Sequence, residues 1–149
     1  MTSVFTVPFK YKGKHHCRVV VLLCQDFRFS LTIINKFLQE HLGLTEFDLI
    51  GAAGGAKTIN DQEKLINFSL QVADNLHQVE RIIIFNHADC GAYGGLKSFN
   101  GDKAAEAAHH HQELLKAKSR LSKQFPKQIV EAFFLKLNQD DSQLEFIPV

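Results

Sequence analysis

Five residues of the sequence could together build a metal site with an ion pair beside it. Cys24, Asp26 and Arg28 alternate in CQDFR, and His87 and Cys90 follow in HADCG. Zinc prefers thiolate and imidazole ligands, and a catalytic zinc site keeps one of its four positions open for water or substrate. Cys24, His87 and Cys90 supply three such ligands. The residue types therefore predict a Zn²⁺ site with one open position.

Asp26 and Arg28 are predicted to act beside that open position. In an extended segment every second side chain points the same way, so both lie on the Cys24 side. Two thiolates neutralise the metal charge, so a bound water needs help from its surroundings to lose its proton. A carboxylate can orient a zinc-bound hydroxide, and a bidentate ion pair with Arg28 would keep Asp26 off the metal. We therefore predict Asp26 and Arg28 as the catalytic residues.

The elements that must position these residues alternate between strands and helices. Apolar runs predict strands at 17–24, 47–52, 81–86, 128–137 and 144–149. Apolar residues at helical spacing predict helices at 30–42, from near Asn60 to Leu76, and at 102–125. This order predicts an α/β fold with a mostly parallel central sheet, order 2-1-3-4-5, last strand antiparallel, flanked by helices on both faces.

That strand order would bring the chemistry together. In open α/β sheets, ligands bind outside the carboxyl ends of the strands where the strand order reverses, here between the first and third strands. Cys24 ends the first strand, and HADCG follows the third. The sequence therefore predicts that residues far apart in the chain meet in one crevice.

Composition restricts the class of protein. The chain has 149 residues, 45% hydrophobic and 22% charged, with a net charge of +1. It predicts one globular domain, 1–149, with residues 1–16 as a short N-terminal arm. The near-neutral charge gives no general attraction to nucleic acid or to an anionic membrane. Lack of a long apolar run predicts a cytoplasmic protein, and an odd number of cysteines argues against structural disulfides.

The pattern C-x-D-x-R followed by H-x-x-C resembles the β-class carbonic anhydrases. The matching text is CQDFR and HADCG, and the similarity extends from about Cys17 to the C-terminus. The resemblance implies Zn²⁺ held by Cys24, His87 and Cys90, and reversible hydration of carbon dioxide to bicarbonate by a zinc-bound hydroxide. It also implies a homodimer or homotetramer. Family members exchange a helical N-terminal arm, which we expect here to be short and extended.

One loop departs from the family pattern. Gly51, Ala52 and Gly55 stand where the family usually carries an arginine and two asparagines. The loss of those polar side chains leaves two alternatives open: a zinc protein without turnover, and hydrolysis of carbonyl sulfide or carbon disulfide. The same stretch, GAAGGAKT, is one glycine short of a phosphate-binding loop, because Ala56 replaces the second glycine. Nucleotide binding is accordingly the least favoured hypothesis.

The remaining histidine, cysteine and aspartate residues that could bind a metal are interpreted as structural residues instead. Consecutive helical residues point about 100° apart, so His109, His110 and His111 cannot form one chelating face. We predict His111 to be packed and the other two to be solvated. Cys17 is predicted to lie in the core. Asp89 either orients His87 or the turn, or is a solvated or turn-capping aspartate.

Overall fold

The computed structural model describes residues 4–149 and shows a five-stranded sheet. Its strands are β1 (Val19–Leu23), β2 (Asp48–Gly51), β3 (Arg81–His87), β4 (Ile129–Leu137) and β5 (Leu144–Pro148). The strand order is β2-β1-β3-β4-β5. All pairs are parallel except β4 with β5. The predicted fold class and strand order are therefore confirmed.

Helices cover both faces of the sheet. They are α1 (Leu31–Glu40), α2 (Ala56–Asn60), α3 (Lys64–His77) and α4 (Lys103–Gln124), with 3₁₀ turns at Gly91–Tyr93 and Leu96–Phe99. The five residues of β1 are all buried, because alternate side chains enter two different cores. One core joins β1 to α2, α3 and α4, and the other joins it to α1.

The segment between β2 and α3 was predicted incorrectly. Residues 56–60 form the short helix α2, and α3 begins at Lys64 instead of near Asn60. Asn60 does not cap α3. Its amide donates to the carbonyl and carboxylate oxygens of Glu113 on α4, at 3.0 and 2.8 Å. The amide of Asn60 thus binds a residue on another helix instead of the first turn of α3.

The buried face of α4 also differs from the prediction. His110 is fully buried, whereas His111 is exposed, so the assignments of these two histidines were wrong. Glu106 shares this face, being only 2% exposed. Two of the inward positions are therefore polar, which is why apolar periodicity placed the face one residue too far along the helix.

Helix α3 is apolar on two sides. Its inner side carries Ile66, Leu70 and Ala73. Leu65, Phe68 and Leu76 lie on the other side and are more than half exposed. Periodicity detected the helix but could not choose between these two faces.

The segment before β1 has no helix or strand among residues 4–18. Lys12 and Lys14 both pair with Glu46, which ties the segment to the loop before β2. Across residues 4–149, none of the helices has both the length and the apolar character needed to cross a membrane.

Candidate metal centre

Three potential metal ligands meet where β1 and β3 end. Cys24 follows the last residue of β1, His87 is the last residue of β3, and Cys90 lies in the next turn. Because β1 and β3 are parallel neighbours, with Leu22 opposite Ile84, their carboxyl ends lie side by side. The three ligand atoms lie within 4.8 Å of one another, and all three residues are buried. The structure thus brings together the residues that the sequence placed at this edge.

The ring of His87 is set to offer a lone pair to this cluster. Its Nδ1 lies 2.8 Å from the carbonyl oxygen of Ala88, which can only accept, so Nδ1 carries the proton. The other nitrogen, Nε2, is buried and has no hydrogen-bond partner among the described residues. A buried polar atom without a partner is costly. A metal ion bound at Nε2 would remove that cost, so the ring fits the role of a ligand.

The two thiols of the cluster contact each other through a hydrogen bond. Their sulfur atoms are 3.9 Å apart. The hydrogen bond from Cys90 lowers the pKa of Cys24, assisted by His87 and by the backbone N–H of Gly54, which lies 3.3 Å from Cys24 Sγ. The same contact raises the pKa of Cys90, because the proton stays on that sulfur. One thiol is therefore already predisposed to the thiolate form that binds a metal.

Asp26 and Arg28 form a bidentate ion pair beside the cluster. Arg28 Nε donates to both carboxylate oxygens, at 3.0 and 3.2 Å, and Nη2 donates to Oδ2 at 2.7 Å. These hydrogen bonds lower the pKa of Asp26 to about 2, so the group is a carboxylate at neutral pH. Asp26 Oδ2 also lies 3.9 Å from His87 Nε2. The charged carboxylate therefore stands next to the potential ligands.

Asp89 is a member of the site whose role the sequence left open. Arg28 Nη1 donates to its carboxylate at 2.7 Å, and Arg28 Nη2 donates to its carbonyl oxygen at 2.9 Å. Asp89 Oδ1 also accepts the N–H of Leu96 at 2.9 Å. The residue thus both organises its turn and binds Arg28. The sequence signal for its membership of the site is its position between the two potential ligands His87 and Cys90.

The 51–56 loop packs directly on the end of β3. Asn86 Oδ1 accepts the N–H of Ala56 at 2.9 Å, and its amide contacts Tyr93 Oη and His110 Nδ1, both at 3.2 Å. A Cβ on Gly55 would overlap the carbonyl oxygen of Phe85. The missing side chain thus lets the loop approach the sheet closely.

Comparison with protein families gives a match over most of the chain. The family model described as "Putative carbonic anhydrase" matches residues 14–146. The chain belongs to this family. Among curated relatives, an uncharacterised protein of Rickettsia conorii is 30% identical over 92% of this chain and 77% of its own length. Another, from Rickettsia bellii, is 27% identical over 85% of this chain and 81% of its own.

Solved carbonic anhydrases share the fold. The carbonic anhydrase of Glaciozyma antarctica is similar with a TM-score of 0.54 and 16% identity, covering 88% of this chain and 80% of its own. A β-carbonic anhydrase of Trichomonas vaginalis has a TM-score of 0.55 and 16% identity, covering 96% and 88%. This carbonic anhydrase family member therefore combines the fold of those enzymes with its own Cys24, His87 and Cys90 cluster.

Proposed function

We propose that the protein catalyses the reversible hydration of carbon dioxide to bicarbonate, with Zn²⁺ held by Cys24, His87 and Cys90. The observation that carries this proposal is the convergence of three buried soft ligands with an arginine-bound carboxylate at one sheet edge. Membership of the carbonic anhydrase family supports it. When bound, zinc would supply the Lewis acidity that makes water a nucleophile near neutral pH.

The residues of the chain divide the remaining work. Asp26 is ionised throughout the neutral range, so its carboxylate can only accept hydrogen bonds. We assign it to accept one from the reacting water and so orient the oxygen lone pair towards carbon dioxide. The N–H of Gly54 stabilises negative charge on Cys24 Sγ.

Arg28 acts through Asp26. A free carboxylate this close to the ligands would itself be a good fourth ligand for zinc. The bidentate pair occupies both oxygens of Asp26 and so opposes that binding. An open fourth position follows from this arrangement.

Stopped-flow measurement of carbon dioxide hydration by the zinc-loaded protein tests the proposal. Cys24→Ser should lose both zinc and activity. Cys17→Ser is the matched control, because Cys17 lies at the other end of β1, where its thiol donates to the carbonyl oxygen of Val19. It should retain both. A zinc-loaded wild-type protein that forms no bicarbonate above the buffer rate would overturn the proposal.

The same site could act on linear sulfur analogues of carbon dioxide. The loop over Cys24 presents only small side chains, with Ala52, Gly54 and Ala56 buried. Release of sulfide from carbonyl sulfide or carbon disulfide would identify this second activity. One zinc per chain with no activity on any of the three substrates would instead indicate a structural metal.

We further propose that the protein is a homodimer. The edge strand β2 and the outer side of α3 line one open groove, which includes Leu49, Leu65 and Phe68. Phe68 is 61% exposed. An unpaired sheet edge beside exposed apolar side chains is a surface that proteins normally cover. A second copy of the chain would cover it.

A further inference from the structure

Arg28 is held from two sides by carboxylates. Nε and Nη2 bind Asp26, while Nη1 donates to Asp89 Oδ2 at 2.7 Å and Nη2 also donates to the Asp89 carbonyl oxygen at 2.9 Å. Asp26 follows β1, whereas Asp89 lies between His87 and Cys90 in the turn after β3. The guanidinium therefore links the segment that carries Asp26 to the turn that carries two potential metal ligands.

The segment that carries Asp26 is anchored after Arg28 by Phe29, which is buried with its ring centroid 4.2 Å from that of His87, but Asp26 and Arg28 themselves have few other contacts. Phe27 is 89% exposed, and Arg28 itself is 42% exposed at its side chain. The backbone hydrogen bonds nearby are local: Phe29 N–H to the carbonyl of Asp26, and Arg28 N–H to its carboxylate. An exposed ion pair alone gives weak positioning. Asp89 supplies the long-range polar contact that fixes the position of the Arg28 guanidinium and, with it, of the Asp26 carboxylate.

Asp89 is itself held in place by contacts on the side away from Arg28. Its φ is 53°, a left-handed conformation that aspartate and asparagine tolerate. Its N–H donates to Glu106 Oε1 at 2.8 Å, and Glu106 is only 2% exposed. Its Oδ1 accepts from Leu96 N–H, next to Gly95, where a Cβ would lie 2.8 Å from that oxygen. The backbone conformation of Asp89, the buried Glu106 and the close approach of Gly95 thus leave Oδ2 of Asp89 pointing at Arg28.

We propose that Asp89 is a positioning residue that, through Arg28, holds the Asp26 carboxylate away from the metal. This inference rests on the proposed function, because it concerns the fourth position of the proposed zinc site. Without the Asp89 carboxylate, Arg28 keeps Asp26 and the backbone carbonyl of residue 89 as partners but loses the ion pair at Nη1, so it can move with Asp26. The carboxylate is then free to bind the metal, and the site closes.

Asp89→Asn is the variant that isolates this contact. Asparagine keeps the shape and tolerates the positive φ. It carries an oxygen at only one of the two carboxylate positions, so either Leu96 N–H or Arg28 Nη1 faces an NH₂ group instead of an acceptor. Asp141→Asn is the matched control. Asp141 also has a positive φ, 59°, and a 2.6 Å ion pair, but with Lys103.

The primary measurement is the visible absorption of the protein loaded with Co²⁺ in place of zinc, because that spectrum responds to a carboxylate ligand. We expect a changed spectrum in Asp89→Asn and an unchanged one in Asp141→Asn. In an Asp26→Asn background the Asp89 substitution should have no further effect, since the carboxylate that closes the site is gone. Carbon dioxide hydration by zinc-loaded Asp89→Asn should fall about tenfold in kcat/KM.

An Asp89→Asn protein that binds one Co²⁺ with the wild-type spectrum would overturn this inference. If that variant does not fold, Arg28→Lys provides the same test, because a single ammonium cannot span both carboxylates. A wild-type spectrum in Arg28→Lys would equally overturn it. Failure of the wild-type protein to bind metal, or to hydrate carbon dioxide when loaded, would instead contradict the proposed function.

Discussion

Replacing Gly55 with alanine should show how tightly the 51–56 loop packs on β3. Gly55 has a φ of 52°, and a Cβ built there overlaps the carbonyl oxygen of Phe85 and lies 2.8 Å from Asn86 Oδ1. Neither atom can move aside easily, and Asn86 is only 2% exposed. The first belongs to the backbone of a central strand, and the second already accepts the N–H of Ala56. The loop must therefore move away from the sheet.

Gly43→Ala is the matched control for this substitution. Gly43 has a φ of 67°, but its Cβ would meet nothing within 4 Å. A left-handed alanine costs about 1 kcal/mol, and forcing a methyl group into a packed region costs about 1–3 kcal/mol more. We expect Gly43→Ala to lose about 1 kcal/mol and Gly55→Ala about 3 kcal/mol of unfolding free energy. The latter lowers Tm by about 6–12 °C.

Urea unfolding of the metal-free proteins, followed by circular dichroism, measures these losses. The informative quantity is the difference between the two variants, because it removes the shared cost of the left-handed backbone. Equal losses would refute the reasoning that Gly55 is required for close approach to β3. Gly55→Ala should also bind zinc more weakly, since moving the loop withdraws the N–H of Gly54 from Cys24 Sγ.

Three further predictions concern protonation and assembly. Arg28 lowers the pKa of Asp26 to about 2, so the stability from this pair is complete above about pH 4 and is lost as pH falls towards 2. An NMR titration of the metal-free protein should show this, with an ordinary pKa in Arg28→Gln. Burial lowers the pKa of His110 to about 3. As the pH falls below about 6.5, the unfolded chain therefore binds a proton at this histidine that the folded protein excludes. This group lowers the free energy of unfolding by about 1.4 kcal/mol for each pH unit, down to about pH 3. His110→Phe should lack that slope in equilibrium unfolding; an unchanged slope would contradict the assignment. Sedimentation should show a dimer that Phe68→Asp converts to a monomer. Leu115→Asp is the control and should leave the dimer intact, because Leu115 is also exposed but lies on α4. A monomeric wild-type protein would refute the interface.

Sequence patterns were sufficient for the fold because the sheet is built from simple signals. β1 reads VVVLL and is buried on both faces, so its apolar run indicates a central parallel strand. Chain order and right-handed crossovers then limit the possible strand orders. The meeting of Cys24, His87 and Cys90 followed from that order, because parallel strands end at a common edge.

Patterns failed where buried polar residues have partners far away in the chain. Glu106 and His110 face inward because they contact Asp89 and Asn86, and no local periodicity encodes such pairings. Asp89 was ambiguous for the same reason: its partner, Arg28, is 61 residues away. The helix predicted to begin near Asn60 begins at Lys64 instead, and the amide of Asn60 binds Glu113 on α4.

X-ray absorption at the zinc edge of the loaded wild-type protein tests the central claim most directly. We expect one zinc per chain with two sulfur ligands at about 2.3 Å and nitrogen at about 2.0–2.1 Å. These correspond to Cys24, Cys90 and His87, with a light atom in the remaining position. Zinc surrounded only by nitrogen and oxygen, or absent after loading, would contradict the account.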